Sequence, residues 1–409
     1  MISDNASNLA WLDSLQGSGI RPGLGRMRAL LRALRNPEKD VPSIIVAGTN
    51  GKGSTSATLA SILHQSGYRT ALYTSPHLVD LHERWLIDGK PIDAESLHRA
   101  ISRLQIASSR ASILPTYFEA LTLLAFIAFS DAQCDVAVLE VGMGGRLDAT
   151  NVVRPLAALI TPIGLDHTEY LGTTIRKIAR EKAGVIHRDA IVLTSNEDPV
   201  VIEVIRRRAA QFACPFHLVT GTHPTPLQGE FQGRNVALAV HAAEELRSRF
   251  PAIGSESIER GVATTRWRGR LERFRRDGRE IWVDGCHNAH AALAIAPFID
   301  ANLTRPRLLV FGIMADKDIA GVVGTLFPRF DAIVTTEPYP PRSVPSEDLA
   351  SRARAMGIPV IDEPDPNRAL RLALQHDIRC VFVGGSLYLA GAAIAFLETH
   401  PEQKSHDAK

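Results

Sequence analysis

The chain has 409 residues, of which 22% are charged and 45% hydrophobic, and its formal net charge is +2. The length predicts two domains and the composition is that of an ordinary globular protein. The near-neutral charge argues against a general nucleic-acid binder, no apolar run approaches the roughly 20 residues of a membrane span, and the four cysteines lack a CxxC pair, which indicates reduced thiols in the cytoplasm rather than a zinc site.

The first predicted element is the basic stretch "RMRALLRALR", from Arg26 to Arg35. Its spacing indicates an amphipathic helix whose arginines face solvent. A membrane-surface helix is the alternative.

Apolar, β-branched runs then alternate with helical patterns, which predicts a parallel α/β architecture. The first series of strands is "SIIVAG", "DVAVLEVG", "LAALITPIG" and "AIVLTS", with helices over 54–66 and 118–129. A second series begins near residue 280 with "EIWVDG", "RLLVFGIM", "DAIVTTEP", "IPVID" and "CVFVGG". The arginine-rich "VATTRWRGRLERF" between the two series has no clear period, so we expect two doubly wound domains, residues 1–265 and 266–409, ending in a frayed tail over 400–409.

The stretch "VAGTNGKGST", Val46 to Thr55, follows the first strand and precedes a helix. Glycines, a lysine and hydroxyls in that position are typical of a phosphate-binding loop, with Lys52 for the phosphates and Ser54 or Thr55 for Mg²⁺. The hydroxyl comes one place later than in the usual loop, and a glycine-rich turn without a ligand is the alternative.

Two further strands end in polar residues. Glu140 begins "EVGMGGRLDATN", and its carboxylate at a strand end suits a hard cation near phosphates. The glycines resemble a dinucleotide fingerprint, but Leu147 stands where the third glycine should be, so we reject an NAD site; a structural turn remains possible on these residues alone. Asp166 and His167 follow the next strand, and Lys182 lies further on in a helical stretch.

The stretch "VDGCHNAHA" opens the first strand-to-helix turn of the second domain. Asp284, His287 and Asn288 cluster there and suit contacts to ribose, base or amino acid. His290 is expected on the helix surface. Cys286 could suggest a metal ligand or thiol nucleophile, but no second cysteine or patterned histidine supports either role.

Taken together, "AGTNGKGST", "YTSPHL", "TYFEALT", "LEVGMGGRLDATN", "LDHTEYLG", "EKAGVI", "GRLE", "DGCHNAHA", "DKD" and "GGSLYL" resemble the folylpolyglutamate synthase/dihydrofolate synthase family of Mur-type ATP-dependent amide ligases. The matches run in order from about Gly23 to Leu389. The resemblance implies an α/β fold with an N-terminal P-loop-type doubly wound ATPase domain and a smaller C-terminal Rossmann-like α/β domain, with ATP bound between them.

The resemblance also implies residues for the nucleotide and the metal. ATP would be bound by Asn50, Gly51, Lys52, Gly53, Ser54, Asn235, Arg270 and Asp284. Magnesium, as two ions, would be held by Ser54, Ser75, Glu140, His167 and a carbamylated Lys182, and K⁺ is a further candidate cation. The residues expected to carry the chemistry are Lys52, Lys182, Arg270 and His287.

For the other substrates, the resemblance implies two groups of residues. The pterin would contact Arg21, Pro22, Thr116, Tyr117, Phe118, Leu147, Asp148 and Ala149. The incoming L-glutamate would contact His287 and Ser386. Asp148 favours a bifunctional enzyme, because dihydropteroate binding in the family uses that segment.

Two departures from the family pattern are present. Cys286 and Ala289 replace an alanine and a proline, and the loss of the proline loosens the turn. The "GLGRM" loop lacks an acidic residue often found beside its arginine.

The implied function is the ATP-dependent addition of L-glutamate to dihydropteroate, to the terminal glutamate of tetrahydrofolates, or to both, through an acyl phosphate. The expected partners are these small molecules, without nucleic acid or membrane, and the family implies a monomer. The alternatives are another Mur-type ligase, of the muramyl-peptide or cyanophycin type, and a P-loop switch protein. The absence of an NKxD motif and the presence of a second α/β domain argue against the switch protein.

Overall fold

The structure is a computed structural model that describes residues 2–19, 21–276 and 278–399. Two β-sheets, one in each half of the chain, organise the described residues. The predicted tail over 400–409 lies outside the described residues.

The first sheet has eight strands in the order β4-β3-β2-β5-β1-β6-β7-β8. Strands β2, β5, β1, β6, β7 and β8 are parallel, whereas β3 and β4 extend one edge antiparallel. The strands are β1 (Ser43–Ala47), β2 (Thr70–Tyr73), β3 (Trp85–Ile87), β4 (Lys90–Pro91), β5 (Val136–Glu140), β6 (Ala157–Ile160), β7 (Ile191–Thr194) and β8 (Phe216–Leu218).

Helices cover both faces of this sheet. In β1, Ile45 and Ala47 pack into one apolar core and Ile44 and Val46 into the other, as expected of a strand buried on both faces. The helices are α1 (Ile2–Ser14), α2 (Gly25–Ala33), α3 (Lys52–Gln65), α4 (Ala94–Ala111), α5 (Tyr117–Asp131), α6 (Thr168–Leu171), α7 (Ile175–Lys182), α8 (Pro199–Gln211), α9 (Glu230–Glu245) and α10 (Ser255–Thr264).

The second sheet has six strands in the order β13-β12-β11-β14-β10-β9, and only the edge strand β9 is antiparallel. Its strands are β9 (Glu272–Arg276), β10 (Arg279–Val283), β11 (Arg307–Phe311), β12 (Ala332–Thr335), β13 (Val360–Asp362) and β14 (Cys380–Gly384). Its helices are α11 (Ala289–Asn302), α12 (Ile319–Leu326), α13 (Ser346–Ala355), α14 (Pro366–Gln375) and α15 (Leu387–Thr399).

The predicted strands are all present, and the two doubly wound α/β halves confirm the predicted fold class. The sequence reading missed the parallel strands β2 and β8 and the antiparallel edge strands β3, β4 and β9, because strands this short give no long apolar run. Part of the segment read as having no period therefore forms β9.

The basic stretch near residue 30 forms α2, an amphipathic helix whose apolar face packs on the core while Arg28 and Arg32 are exposed. Met27, Leu30 and Leu31 are buried in the core of the first half. Arg26 forms a two-pronged ion pair with Glu119 of α5, with N–O distances of 2.9 and 3.1 Å. The apolar face of this helix is therefore occupied by the protein's own core.

The link between the halves runs from α10 to β9. Helix α10 packs closely on α3, since a β-carbon added at Gly261 would lie 2.5 Å from the Cα of Ile62. Strand β9 pairs with β10 of the second sheet. We propose on this basis that the domain boundary lies at residues 265–266.

Candidate active site

The loop from β1 to α3 presents a helix N-terminus at the carboxyl edge of the first sheet. Gly51 caps α3 with a φ of +86°, a conformation that favours glycine. A β-carbon at Gly51 would lie 2.2 Å from the Oδ1 of Asn235, so the loop also needs glycine to fit against α9. Free N–H groups at such a terminus bind anions.

Lys52 is the first residue of α3, and its Nζ donates to the carbonyl of Thr49 at 3.0 Å. Burial lowers the pKa of Lys52, although the charges of Glu140 and Asp166 oppose that shift. The ammonium therefore lies in a dehydrated site facing two carboxylates, where a further anion would stabilise its charge.

Glu140 ends β5, next to β1, and is buried. One carboxylate oxygen accepts the backbone N–H of Ser75 at 3.3 Å. Burial raises the pKa of Glu140, and the charge of Lys52 is the largest opposing influence. A buried carboxylate with spare lone pairs is suited to a cation.

His167 and Lys182 lie in the same cavity. His167 adopts a left-handed φ of +49° before α6, and burial lowers its pKa to about 4, so that its imidazole is neutral. Lys182 is buried at the end of α7, and its Nζ donates to the carbonyl of Gly48 at 2.5 Å. Burial, and then the Lys52 charge, lower the pKa of Lys182 to about 7, which leaves a substantial neutral, nucleophilic fraction near neutral pH.

Arg270 and Asp284 extend the cavity from the second half of the chain. The Arg270 guanidinium donates to the carbonyl of Gly269 at 2.9 Å. Both carboxylate oxygens of Asp284 accept backbone N–H groups, from Leu271 at 2.9 Å and Cys286 at 2.7 Å. Asp284 thus fixes the turn that carries the neighbouring polar residues.

His287 and Asn288 face the first half of the chain. The Nδ1 of His287 lies 2.8 Å from the carbonyl of Gly285, and its Nε2 lies 3.7 Å from Asp166. Asn288 caps α11 and exchanges side-chain hydrogen bonds with Asn50, both at 3.1 Å. His290, which we expected simply on the helix surface, also approaches the Nδ2 of Asn50, at 2.8 Å.

Cys286 is buried beside this turn. Burial, and then the charge of Asp284, raise the pKa of its thiol well above the usual range. The alternative of a thiolate nucleophile is therefore unsupported.

The sequence analysis assigned no role to Lys317. Its Nζ lies 2.8 Å from Asp166, and both side chains are more than nine-tenths buried. Burial by itself would raise the pKa of Asp166, but contact with His287 and nearby positive charges, Lys317 among them, hold it far below the usual range. In the sequence, only the "DKD" match pointed to Lys317, because Lys317 and Asp166 lie 151 residues apart.

A cavity of about 710 Å³, the larger cavity, lies between the two halves of the chain. It brings together every residue predicted for the nucleotide and the metal, with His287: Asn50, Gly51, Lys52, Gly53, Ser54, Ser75, Glu140, His167, Lys182, Asn235, Arg270 and Asp284. Trp267, which the sequence analysis did not identify, bounds the loop, since a β-carbon at Gly53 would lie 2.7 Å from its Nε1.

A second cavity of about 490 Å³, the smaller cavity, joins the larger one. Ser75, His167 and His287 line both. The residues predicted for the pterin that line it are Arg21, Pro22, Thr116, Phe118, Leu147, Asp148 and Ala149, and Ser386 lies there too. Tyr117 instead packs at the edge of the core and is not among the described lining residues.

A helix cap, hydrogen bonds within a loop and an aromatic ring hold the wall of the smaller cavity in place. Thr116 and Glu119 form a reciprocal capping box at the start of α5, and Glu119 also holds Arg26. Asp148 is buried and accepts hydrogen bonds from the backbone of Met143 at 3.0 Å and from the backbone and hydroxyl of Thr150. The ring of Phe118 lies against Gly142, where a β-carbon would be 2.3 Å away.

The donor set in the larger cavity fits a divalent cation. Ser54, Ser75, Glu140 and His167 offer two hydroxyls, a buried carboxylate and a neutral imidazole. The described residues contain no cluster of three or more His, Cys, Asp or Glu side chains placed for a metal. The four donors named above suit Mg²⁺, which keeps several waters and uses few protein ligands together with phosphates.

Among the described helices, none is both long and apolar enough to cross a membrane.

Comparison with known proteins gives concordant matches. A model described as "Mur ligase middle domain" matches residues 46–258, and one described as "Mur ligase, glutamate ligase domain" matches residues 269–387. The chain is 31% identical to the dihydrofolate synthase/folylpolyglutamate synthase of Bacillus subtilis strain 168, over 93% of this chain and 96% of that protein.

Two solved structures are similar throughout. Mycobacterium tuberculosis folylpolyglutamate synthase complexed with ADP and AMPPCP superposes with a TM-score of 0.87 at 32% identity, covering 96% of this chain and 99% of that one. The bifunctional synthase of Yersinia pestis complexed with AMPPNP and Mn ion gives a TM-score of 0.84 at 31% identity, covering 96% and 98%.

Proposed function

The chain belongs to the dihydrofolate synthase/folylpolyglutamate synthases of the Mur ligase family, and from this premise we propose which of its residues bind each substrate and which take part in the reaction. The enzyme is an ATP-dependent ligase that adds L-glutamate to dihydropteroate, to the terminal glutamate of tetrahydrofolates, or to both, through an acyl phosphate. One observation carries the assignment: a phosphate-loop cavity and a second cavity meet at Ser75, His167 and His287, between two α/β domains.

ATP occupies the larger cavity. Its phosphates lie at the N-terminus of α3, where Gly51, Gly53 and Ser54 supply backbone N–H groups and Lys52 supplies charge. Arg270, from the opposite domain, faces the same phosphates, while Asn50, Asn235 and Asp284 shape the walls. The complexes of the relatives with ADP, AMPPCP and AMPPNP support a nucleotide as the ligand.

A divalent cation binds at Ser54, Ser75, Glu140 and His167, whose donor atoms fit such an ion, and the Mn-containing relative supports the presence of a divalent metal. When bound, it neutralises phosphate charge during transfer. Lys182 is carbamylated and serves a second Mg²⁺: its neutral amine adds CO₂ and loses a proton, which replaces a cation with a carboxylate. K⁺ is a further cation for this site.

The acceptor binds in the smaller cavity, with its pterin near Arg21, Pro22, Thr116, Phe118, Leu147, Asp148 and Ala149. Tyr117 supports this wall from behind. The acceptor carboxylate points to the junction of the two cavities, attacks the γ-phosphate and forms the acyl phosphate with release of ADP. Positioning and charge neutralisation are the main requirements of such a transfer.

L-Glutamate binds between His287 and Ser386. The carbonyl of Gly285 can only accept a hydrogen bond, so neutral His287 carries its proton on Nδ1. Its Nε2 is left to take the proton from the attacking α-amine, and Asp166 stabilises the resulting imidazolium. The amine nitrogen then bonds to the acyl carbon and phosphate leaves.

The acyl phosphate must be shielded from water, which the cavity between two closed domains provides. We further propose that the enzyme acts as a monomer in the cytoplasm. Its four cysteines are all unpaired and buried, which fits a reducing compartment.

The deciding experiment measures ADP release by the purified enzyme with glutamate and either dihydropteroate or tetrahydrofolate. We expect turnover that requires both acceptor and glutamate. Turnover with only one acceptor would restrict the enzyme to one activity. No acceptor-dependent ADP release with either would exclude the ligase function.

A further inference from the structure

Arg84 is a buried arginine at the end of a short 3-10 turn, Leu81–Arg84, directly before β3. Only 7% of the residue is exposed, and it lines the smaller cavity. Its Nε donates to the Nδ1 of His77 at 2.8 Å. Burial, and then the Arg84 charge, lower the pKa of His77, so the imidazole is neutral and leaves the guanidinium charge uncompensated.

No carboxylate within the described residues forms an ion pair with Arg84, and its two Nη atoms have no hydrogen-bond partner there. The adjacent Glu83 is already engaged, because its carboxylate accepts the backbone N–H groups of Leu78, Val79 and Asp80. A buried guanidinium without a counter-ion is costly to a fold.

The carboxylates that line the smaller cavity are also engaged elsewhere. Glu119 pairs with Arg26, and Glu181 with Arg146. Asp148 binds the backbone of its own loop, and Asp316 lies 3.4 Å from Lys317. Each of the four carboxylates in the wall of the smaller cavity therefore has a partner other than Arg84.

We propose that Arg84 binds a carboxylate of the acceptor, namely the one that will be phosphorylated. This rests on the proposed function, in which the acceptor fills the smaller cavity. Arg84 shares that cavity with Ser75 and His167, which also line the larger one. Its positive charge is also close enough to Glu140 to lower the pKa of that carboxyl. A guanidinium can hold one carboxylate oxygen while the other faces the γ-phosphate, which reduces repulsion between two anions.

Both acceptors carry a carboxylate that is phosphorylated, the aryl carboxylate of dihydropteroate and the γ-carboxylate of a folate's terminal glutamate, whereas an α-carboxylate is present only in folates. If Arg84 binds the reacting group, Arg84→Gln raises the KM for both acceptors about 10- to 100-fold, the range for a charge-assisted hydrogen bond, and leaves the KM for ATP unchanged. A rise for tetrahydrofolate alone would assign Arg84 to the α-carboxylate and overturn the proposed choice of carboxylate. No rise for either acceptor would overturn the whole proposal.

A direct binding experiment excludes a merely structural role. Calorimetry compares dihydropteroate with the same molecule lacking its carboxylate. The wild type is expected to bind dihydropteroate about 10- to 100-fold more tightly than the analogue, and Arg84→Gln to bind both alike, at the wild-type affinity for the analogue. Equal binding of the two by the wild type, or unchanged discrimination by the variant, contradicts the proposal.

Two further variants complete the design. Arg84→Lys keeps the positive charge but loses the two-pronged guanidinium. It is expected to prefer dihydropteroate over the analogue more than Arg84→Gln does and less than the wild type does. Arg307 is equally buried but is paired with Asp300 and lies outside both cavities, so Arg307→Gln should lower the melting temperature without changing discrimination. Loss of discrimination in this control as well would overturn the assignment. If wild-type turnover fails while discrimination is found, the proposed function fails and not this inference.

Discussion

At the scale of single residues, burial shifts the pKa values of the ionisable groups that line the larger cavity. The pKa values of Lys52, Lys182 and His167 are lowered, and that of Glu140 is raised, each chiefly by desolvation. Each shift favours the uncharged form. Phosphate would restore the charge of Lys52 and a cation that of Glu140, whereas neutral His167 can bind a metal and neutral Lys182 can react with CO₂. The site is therefore prepared for nucleotide and metal.

Lys182 gives a prediction about CO₂. Since its pKa is lowered to about 7, the free amine predominates at pH 8 and the ammonium at pH 6. Enzyme stripped of CO₂ is expected to lose activity and to recover it on addition of bicarbonate, faster at pH 8 than at pH 6 when the concentration of dissolved CO₂ is held equal. Without CO₂, the native state binds fewer protons than the unfolded state from about pH 7 to the usual lysine value, so stability rises with pH there.

The measurements are ADP release and the carbamate signal in ¹³C NMR with labelled bicarbonate. Lys182→Arg, which cannot be carbamylated, serves as the control and should not respond to bicarbonate. Full activity of wild-type enzyme without CO₂ would rule carbamylation out.

Asp148 gives a second prediction. Asp148→Ala is expected to reduce dihydrofolate synthesis more than polyglutamylation, because dihydropteroate lacks the glutamate tail and depends more on the wall that Asp148 braces. The loss of a buried carboxylate that accepts three hydrogen bonds should also cost about 2–4 kcal/mol of unfolding free energy. Parallel assays and denaturant titration check this, and equal losses in both activities would count against it.

At the scale of elements, strand-to-helix turns carry most of the site. Gly51 at the cap of α3, Glu140 at the end of β5, His167 before α6 and Asn288 at the cap of α11 all lie at carboxyl ends of strands or starts of helices. Their positions follow from local sequence, which explains why the motifs could be placed correctly.

Ala289 gives an element-scale prediction. It is the first residue of α11, and Asn288 before it is extended, with φ of −141° and ψ of 161°, as a residue before proline prefers. Ala289→Pro should therefore stabilise the protein by about 0.4–1 kcal/mol without loss of activity. Ala291→Pro is the control that should destabilise it, because the N–H of Ala291 donates to Asn288 at 2.8 Å. Thermal unfolding of both variants measures the effect, and a lower melting temperature for Ala289→Pro would refute it.

At the scale of the whole molecule, a buried polar network joins the two domains. Asp166 of the first domain contacts Lys317, Asn288 and His287 of the second. Charges this deeply buried depend on each other, and loss of one partner leaves the other uncompensated. The network therefore stabilises the arrangement of the two domains in which both cavities are complete.

The coupling between Asp166 and Lys317 can be measured by a double-mutant cycle. Asp166→Asn and Lys317→Gln should each lower stability and expand the molecule in small-angle scattering. The double variant should lose less than the sum, with a coupling of about 0.5–3 kcal/mol. Additive losses, or single variants as compact as the wild type, would show that the pair does not hold the domains together.

The sequence by itself determined the alternating strands and helices, the phosphate loop, and the polar residues at Glu140, His167 and Asp284. These depend on periodicity and on turns of a few residues, which local chemistry encodes. Only the tertiary structure decided that Asp166 pairs with Lys317, that Asn235 bounds Gly51, that Tyr117 lies behind the cavity wall, and that Arg84 lacks a counter-ion. Such contacts join residues far apart in the chain, and they depend on how two domains pack, which no local pattern specifies.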